Sequence, residues 1–312
     1  AAAVTAVALV VPRGVVPEPV VDAATPRPSA TVTAPPPTPE PEPSIEAPTA
    51  SAVFEQAASL AASSAGSSLA TSGYLRVETR NGYLTTWPQN SARSTASAAW
   101  VAGGTYVTYI PVDRTQEWVR VFEPGAEILA LYGDGAEAAS RQWQTDLADV
   151  IGMRSEIRSR GGLGEGEGEA PRGSDAYYAQ MPRDPQSLLE WYGAAAAEGN
   201  IDFAQVFWVI SQDLELTAAP PDLRASMFRA LALAPGVSIQ SVVGDETTLS
   251  FGHDSGYPND EVGGGYWTET LTIDTSTGLV VGTSRTMGSG GSVIPDSVPD
   301  NRTTTSFSVV PT

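Results

Sequence analysis

The sequence predicts an α+β fold: a large antiparallel, half-barrel-like sheet covered on one face by helices. Two observations carry this. Residues 184–235 show helical periodicity punctuated by prolines, and residues 237–287 then switch to a period of two. Apolar residues three and four apart share a helix face, whereas alternation marks a strand with one buried side. A third observation is a run of short alternating segments over 74–132, which raises the expected sheet to about nine or ten strands.

The helices come first. Asp184-Pro185 opens one, because Asp can cap free N–H groups and Pro suits the first helical position. Leu188, Leu189, Trp191 and Tyr192 form its stripe, and Gly193 or Gly199 can end it. Ile201, Val206, Phe207, Val209, Ile210 and Leu214 mark a second buried-face helix. Pro220-Pro221 stops it and opens a third, which carries Leu223, Met227, Phe228 and Leu231 on one face and closes at Pro235-Gly236.

Four strands follow as a meander. Val237, Ile239 and Val243 alternate with polar residues, Gly244-Asp245 turns the chain, and Leu249 and Phe251 share a face. Trp267, Leu271 and Ile273 face one way while Thr268, Thr270 and Thr272 face the other. The turn 274–278 feeds Leu279, Val280 and Val281. The apolar face needs a cover, and the preceding helices supply it.

The segments "DPQSLLEWY", "PPDLRASMFRALALAPGV", "TLSFG" and "ETLTIDTSTGLVVGTSRT" resemble the ectodomain of a family of actinobacterial membrane-anchored proteins with no assigned activity. The resemblance covers roughly residues 183–287. It implies a short cytoplasmic part, one membrane helix and an extracytoplasmic domain. By looser similarity it implies the half-barrel of lipoprotein carriers and of regulators of anti-sigma factors. Residues 88–182 do not follow the family pattern.

The N-terminal part fits such a tether. Residues 1–12 hold an apolar run, too short alone to span a bilayer, which needs about 20 residues. It reads as the end of a transmembrane or signal-anchor segment. Residues 13–51 are Pro-rich and read as a disordered linker that can reach on the order of 100 Å at about 3.1 Å per residue. The extracytoplasmic domain is then 52–287, with a mobile Gly/Glu loop at 161–174, and 288–312 is a polar tail in which 304–310 can add an edge strand. Within the domain, 51–69 reads as an Ala-rich helix. Asn81-Gly82 is a hairpin signal, Gly103-Gly104 reads as a turn, and 136–151 fits either a helix or a surface excursion.

Composition narrows the function classes. The net charge of −19 among 312 residues disfavours nucleic acid and direct adhesion to anionic lipid. The absence of cysteine excludes disulfides and thiol catalysis. The chain has no Lys, so the Gly-rich 161–174 stretch is no phosphate cradle, and no cofactor is expected.

Candidate chemistry is sparse. His253, the single histidine, ends its strand on the Leu249/Phe251 face, and Glu269 sits on the apolar face between Trp267 and Leu271. Strands paired about the 254–265 loop put His253 near Trp267 and diagonal to Glu269, a geometry that suits a pH-sensing pair. A solvated strand-end His is the alternative. Asp254, Asn259, Asp260 and Glu261 are hard oxygen ligands, but their spacing matches no calcium loop, so no metal is assigned. Trp87, Trp100, Trp118, Trp191, Trp208 and Trp267 are candidates to line an apolar pocket, or else to fill the core. The expectation is a non-enzymatic, membrane-tethered extracytoplasmic domain that binds an apolar ligand or an envelope protein for sensing or carrying. A hydrolase using paired carboxylates near 254–269 and a passive structural module are the alternatives. The hydrolase requires two converging carboxylates in a cleft, the binder an apolar cavity, and the structural module a filled core.

Overall fold

The computed structural model describes residues 48–63, 73–89, 91–123, 126–148, 154–165, 172–198, 206–254, 266–288 and 293–311. The expected membrane segment, the Pro-rich linker up to 47, the centre of the Gly/Glu loop (166–171) and residues 255–265 lie outside the described residues.

Among the described residues, twelve strands and six helices follow in chain order. They are α1 (Ala50–Ala62), β1 (Tyr74–Trp87), β2 (Ala98–Pro111), β3 (Glu117–Phe122), β4 (Glu127–Tyr132) and α2 (Ala136–Asp146). Then come β5 (Ser155–Arg160), β6 (Gly162–Glu165), β7 (Arg172–Ser174), α3 (Asp175–Gln180), α4 (Pro185–Glu198) and α5 (Val206–Glu215). The chain continues with α6 (Pro221–Ala232), β8 (Ser238–Val243), β9 (Glu246–Asp254), β10 (Tyr266–Asp274), β11 (Leu279–Met287) and β12 (Asn301–Val310). Ten strands form one antiparallel sheet, in the order β5-β3-β2-β1-β12-β11-β10-β9-β8, with β4 paired to the other end of β2. Strands β6 and β7 pair as a separate ribbon, so the two ends of the expected Gly/Glu loop are ordered as strands.

The expected helices and the four-strand meander are present. Asp184 caps α4, its Oδ1 accepting from the Ser187 N–H at 2.9 Å, and these bonds hold its carboxyl below the ordinary range. Thr49 caps α1 through Ala52 N at 3.2 Å. Helices α1, α4, α5 and α6 bury Phe54, Leu188, Ile210, Leu214, Leu223, Met227 and Leu231 against Val77, Ile110, Leu249, Leu271, Ile273 and Val280 of the sheet. Each such aliphatic side chain contributes roughly 1.5–3 kcal/mol on leaving water. Helix α1 also rests on the β10–β11 turn. Gln56 Nε2 donates to the Thr275 carbonyl at 2.8 Å, and Gly278, at φ +70°, sits where a Cβ would lie 2.8 Å from Leu60 Cβ. Only glycine satisfies both the left-handed backbone and that close approach.

Three expectations are corrected. Asn81-Gly82 makes no hairpin, because β1 runs straight through it with Asn81 opposite Gly104 and Gly82 opposite Gly103. The glycines there answer to crowding, not to a turn. A Cβ on Gly82 would lie 3.2 Å from Arg302 Nε, one on Gly103 2.9 Å from Leu129 Cδ1, and one on Gly104 2.8 Å from Asn81 Oδ1. Gly103-Gly104 is likewise inside β2. Finally, the tail strand is no edge. Strand β12 spans 301–310 and lies in the middle of the sheet, paired with β1 from Tyr74↔Val310 to Tyr83↔Asn301 and with β11 from Gly282↔Thr304 to Arg285↔Asn301. Its polar composition hides an alternation in which Thr303, Thr305 and Phe307 point to the helices and Arg302, Thr304 and Ser306 point away.

Candidate functional site

The face under the helices carries polar groups where a core would be apolar. Alternation along β10 puts Trp267, Glu269, Leu271 and Ile273 on that side. Glu269 is fully buried. Directly opposite on β11 is Arg285, whose Nε and Nη2 donate to Glu269 Oε1 at 2.9 and 2.5 Å. The guanidinium lies between two indoles, 4.7 Å from Trp208 on α5 and 4.5 Å from Trp267. These faces attract the cation where water is excluded. His253 completes the group. It pairs with Trp267 in register and reaches diagonally to Glu269, its Nε2 lying 3.4 Å from Oε1. The ring stacks on Phe251 at 5.4 Å, and Nδ1 is 3.0 Å from the Asp254 carbonyl.

Burial alone would pull the His253 pKa down. The attraction of the Glu269 carboxylate 3.4 Å away and the hydrogen bond to the Asp254 carbonyl outweigh it, so the pKa stands above its ordinary 6.5 despite the nearby Arg285. Glu269 Oε2 has no hydrogen-bond partner among the described residues. The triad therefore holds one carboxylate between a fixed cation and a titratable one, and it stores charge rather than presenting it to a cleft.

A second polar node lies at the other end of α5. Glu215 Oε1 accepts from Thr305 at 2.7 Å and Oε2 from Thr283 at 3.4 Å. Thr303 bonds Thr283 at 2.8 Å, and Thr79 bonds Thr305 at 3.3 Å. Burial raises the Glu215 pKa, while the threonine hydroxyls pull it back. Nearby, the Tyr192 hydroxyl donates to Asp213 Oδ2 at 2.7 Å, and its own pKa is driven well up by burial and by that carboxylate. Asp213 and Glu215 line a cavity of about 190 Å³ together with Thr79, Tyr106, Arg120 and Tyr178. Both carboxylates are engaged by hydroxyl donors, which is how a folded core satisfies buried acids.

The six tryptophans do not converge. Trp87 ends β1 and is 41 % exposed. Trp100 is buried against Trp143 and Tyr83. Trp118 is buried too, its indole N–H bonding the Arg114 carbonyl at 3.1 Å while the Arg114 guanidinium covers its ring. Trp191 packs edge-on to Tyr177 and Tyr192. Of the six, Trp208 and Trp267 alone share a partner, the Arg285 guanidinium.

The opposite face is uncovered and hydroxylated. Thr268, Thr270 and Thr272 of β10, Ser284 and Thr286 of β11 and Thr304 of β12 lie on it by register. Two adjoining hollows open here. One, about 890 Å³, runs over these strands and is walled by Asp296, Ser297 and Pro299. The other, about 660 Å³, lies over Gly82, Gly103 and Gly104 and is walled by Glu123, Glu127 and Leu129. Both include Arg302 and Thr304. Arg80 in the smaller hollow is tied to Glu78 at 3.0 Å. Arg302 makes no ion pair among the described residues. Tyr266, 55 % exposed, lays its ring across Gly252 at the rim of the larger hollow.

The sequence did not point to Glu215, Asp213, Arg285 or Arg302. Of the acidic 254–261 loop only Asp254 is described, and among the described residues no group of three potential ligands could hold a metal. No described helix is long and apolar enough to cross a membrane. Comparison with protein-family models, with curated proteins and with solved structures finds no match for this chain.

Proposed function

We propose that this chain is a non-enzymatic extracytoplasmic binding domain, tethered to the membrane by its N-terminal segment, that works through the open face of its sheet. One observation carries the reading. The helix-covered side holds a polar cavity of about 190 Å³, while the open side carries larger hollows of about 660 and 890 Å³ that meet at Arg302. Ligand sites are concave and orient their ligand with a few placed polar groups.

The lining favours a ligand class other than the apolar one expected from the tryptophans and the resemblance. Neutral hydroxyls, one Arg without an ion pair and an exposed Tyr at the rim favour a polyhydroxylated ligand with a sparse acidic group. The acidic walls repel a dense polyanion. A saccharide of an envelope polymer has this chemistry. No observation favours hydrolysis over binding, since Asp213, Glu215 and Glu269 all serve as acceptors inside the packed molecule.

Calorimetry with a hyaluronan hexasaccharide, which alternates neutral and glucuronate sugars, tests this against neutral chitohexaose. Preferential binding of the former, weakened about tenfold or more by Arg302→Ala, is expected. Equal or absent binding, or indifference to Arg302→Ala, refutes the open face as the site. The tether is tested separately by fractionating cells that express the chain from its native start; recovery outside the membrane fraction refutes it.

A further inference from the structure

The two ends of the sheet are not alike. Every sheet that is not closed leaves unpaired N–H and C=O groups along its outer strands, and natural proteins blunt such edges with charge, proline or a cover. Strand β5 does so, with Glu156, Arg158 and Arg160 on a six-residue edge and Arg158 salt-bridged to Glu117 across to β3. Strand β4 has α2 packed beside it. Strand β8, Ser-Ile-Gln-Ser-Val-Val, has neither charge nor proline. Among the described residues it ends the sheet and pairs only with β9. Its last two residues, Val242 and Val243, are 54 % and 72 % exposed, a pair of β-branched side chains left in water on a free strand.

The surroundings of this edge are of one sign. Asp245 and Glu246 lie in the turn that follows Val243 and at the start of β9, and Asp274 lies in the neighbouring turn, where the Thr275 N–H donates to the Asp245 carbonyl at 2.8 Å. At the other end β9 runs past the start of β8 to Asp254. No Arg lies on β8 or in the turn beyond it.

We propose that β8 is a docking edge for an extended, arginine- or lysine-flanked segment of another protein, which adds to the sheet as an eleventh strand. Strand addition takes its affinity from main-chain hydrogen bonds and its selectivity from alternate side chains. Val242 and Val243 offer the apolar contact, and the acidic residues at both ends select basic flanks. A second copy of this chain sets acidic residues against acidic residues at both ends of β8 and brings a net charge of −19, so β8-to-β8 pairing is opposed. This docking is tested apart from the saccharide reading, since the edge shares only Gln240 and Glu246 with the open-face hollows and neither Arg302 nor Thr304.

The test uses the full chain and three synthetic nonapeptides: Arg-Arg-Val-Thr-Val-Thr-Val-Arg-Arg, its Glu-flanked counterpart, and an Arg-flanked version with Pro at the centre. The first is expected to bind at least about tenfold more tightly than the other two. Amide exchange is expected to slow on 238–243 when it does. Val242→Lys with Val243→Lys is expected to abolish that protection without moving the thermal midpoint, because both side chains are exposed. Equal binding of the proline peptide, protection mapping away from β8, or concentration-dependent self-association that protects β8 without peptide would overturn the proposal.

Discussion

The two faces of this sheet are built from the same strands, yet they are under opposite constraints. On the helix side each residue is fixed by what it touches. Glu269 holds Arg285, Arg285 fills the gap between Trp208 and Trp267, and Glu215 is held by threonines from β11 and β12. On the open side Thr268, Thr270 and Thr286 stand one beside another over a hollow. The buried face thus shows what a polar group costs when water is removed, and the open face what it is free to do when water remains.

Substitutions can break that contrast. The largest effect is expected from Glu269→Ala, which strands the Arg285 cation beneath α5; breaking a buried pair from one side costs about 3–5 kcal/mol, read as a shift in urea midpoint at unchanged slope. Leu271→Ala, one pleat away, is expected to cost about 2–5 kcal/mol through the cavity it leaves. A loss below about 1 kcal/mol for either would mean that the helix side is less tightly packed than the contacts state.

Protonation sharpens the comparison, because the buried face holds a histidine and a glutamate whose pKa values are both raised. The folded pKa of His253 is raised, so its contribution is fully present below 6.5 and is lost as pH rises through the higher folded value. His253→Phe is expected to flatten that part of the stability profile. Glu215 is also raised, here by burial, so the native state keeps its proton longer than the unfolded chain. Stability then falls as pH climbs from the ordinary 4.5 to the folded value, and Glu215→Gln is expected to remove the fall. A variant profile parallel to the parent's would refute the assignment in either case. The smallest effect belongs to the open face, where Thr270→Ala is expected to change stability by no more than about 0.5 kcal/mol.

What could be read from sequence follows the same division. His253 and Glu269 were legible because both strands keep strict alternation, so their diagonal contact follows from the register about the 254–265 loop. Arg285 was not. Counting by twos from the buried Val280 puts it on the open face, but a bulge between Thr272 and Ile273 shifts the β10–β11 register and turns Thr283 and Arg285 inward. Glu215 and Asp213 fall where the α5 stripe calls for apolar residues, and nothing local tells that Thr283, Thr303 and Thr305 await them. Asn81-Gly82 misled for a related reason. The dipeptide favours a turn, but β1 has partners on both sides throughout, and those ladders outweigh local preference. The fold class was legible because it needs only the periods; the Glu215 node was not, because its partners Thr283 and Thr305 lie 68 and 90 positions away.

The place of β12 has a consequence for timing. Strands β1 to β5 and β8 to β11 emerge from the ribosome before it, yet neither group pairs with the other; β12, between β1 and β11, joins them into one sheet. Its contacts with β1 close a loop of more than 200 residues, as Tyr74 against Val310 illustrates. Such distant pairings are slow to form, since the entropy of closure is spent before any contact rewards it. Until the 301–310 stretch is made, the two halves of the sheet have no strand to join them.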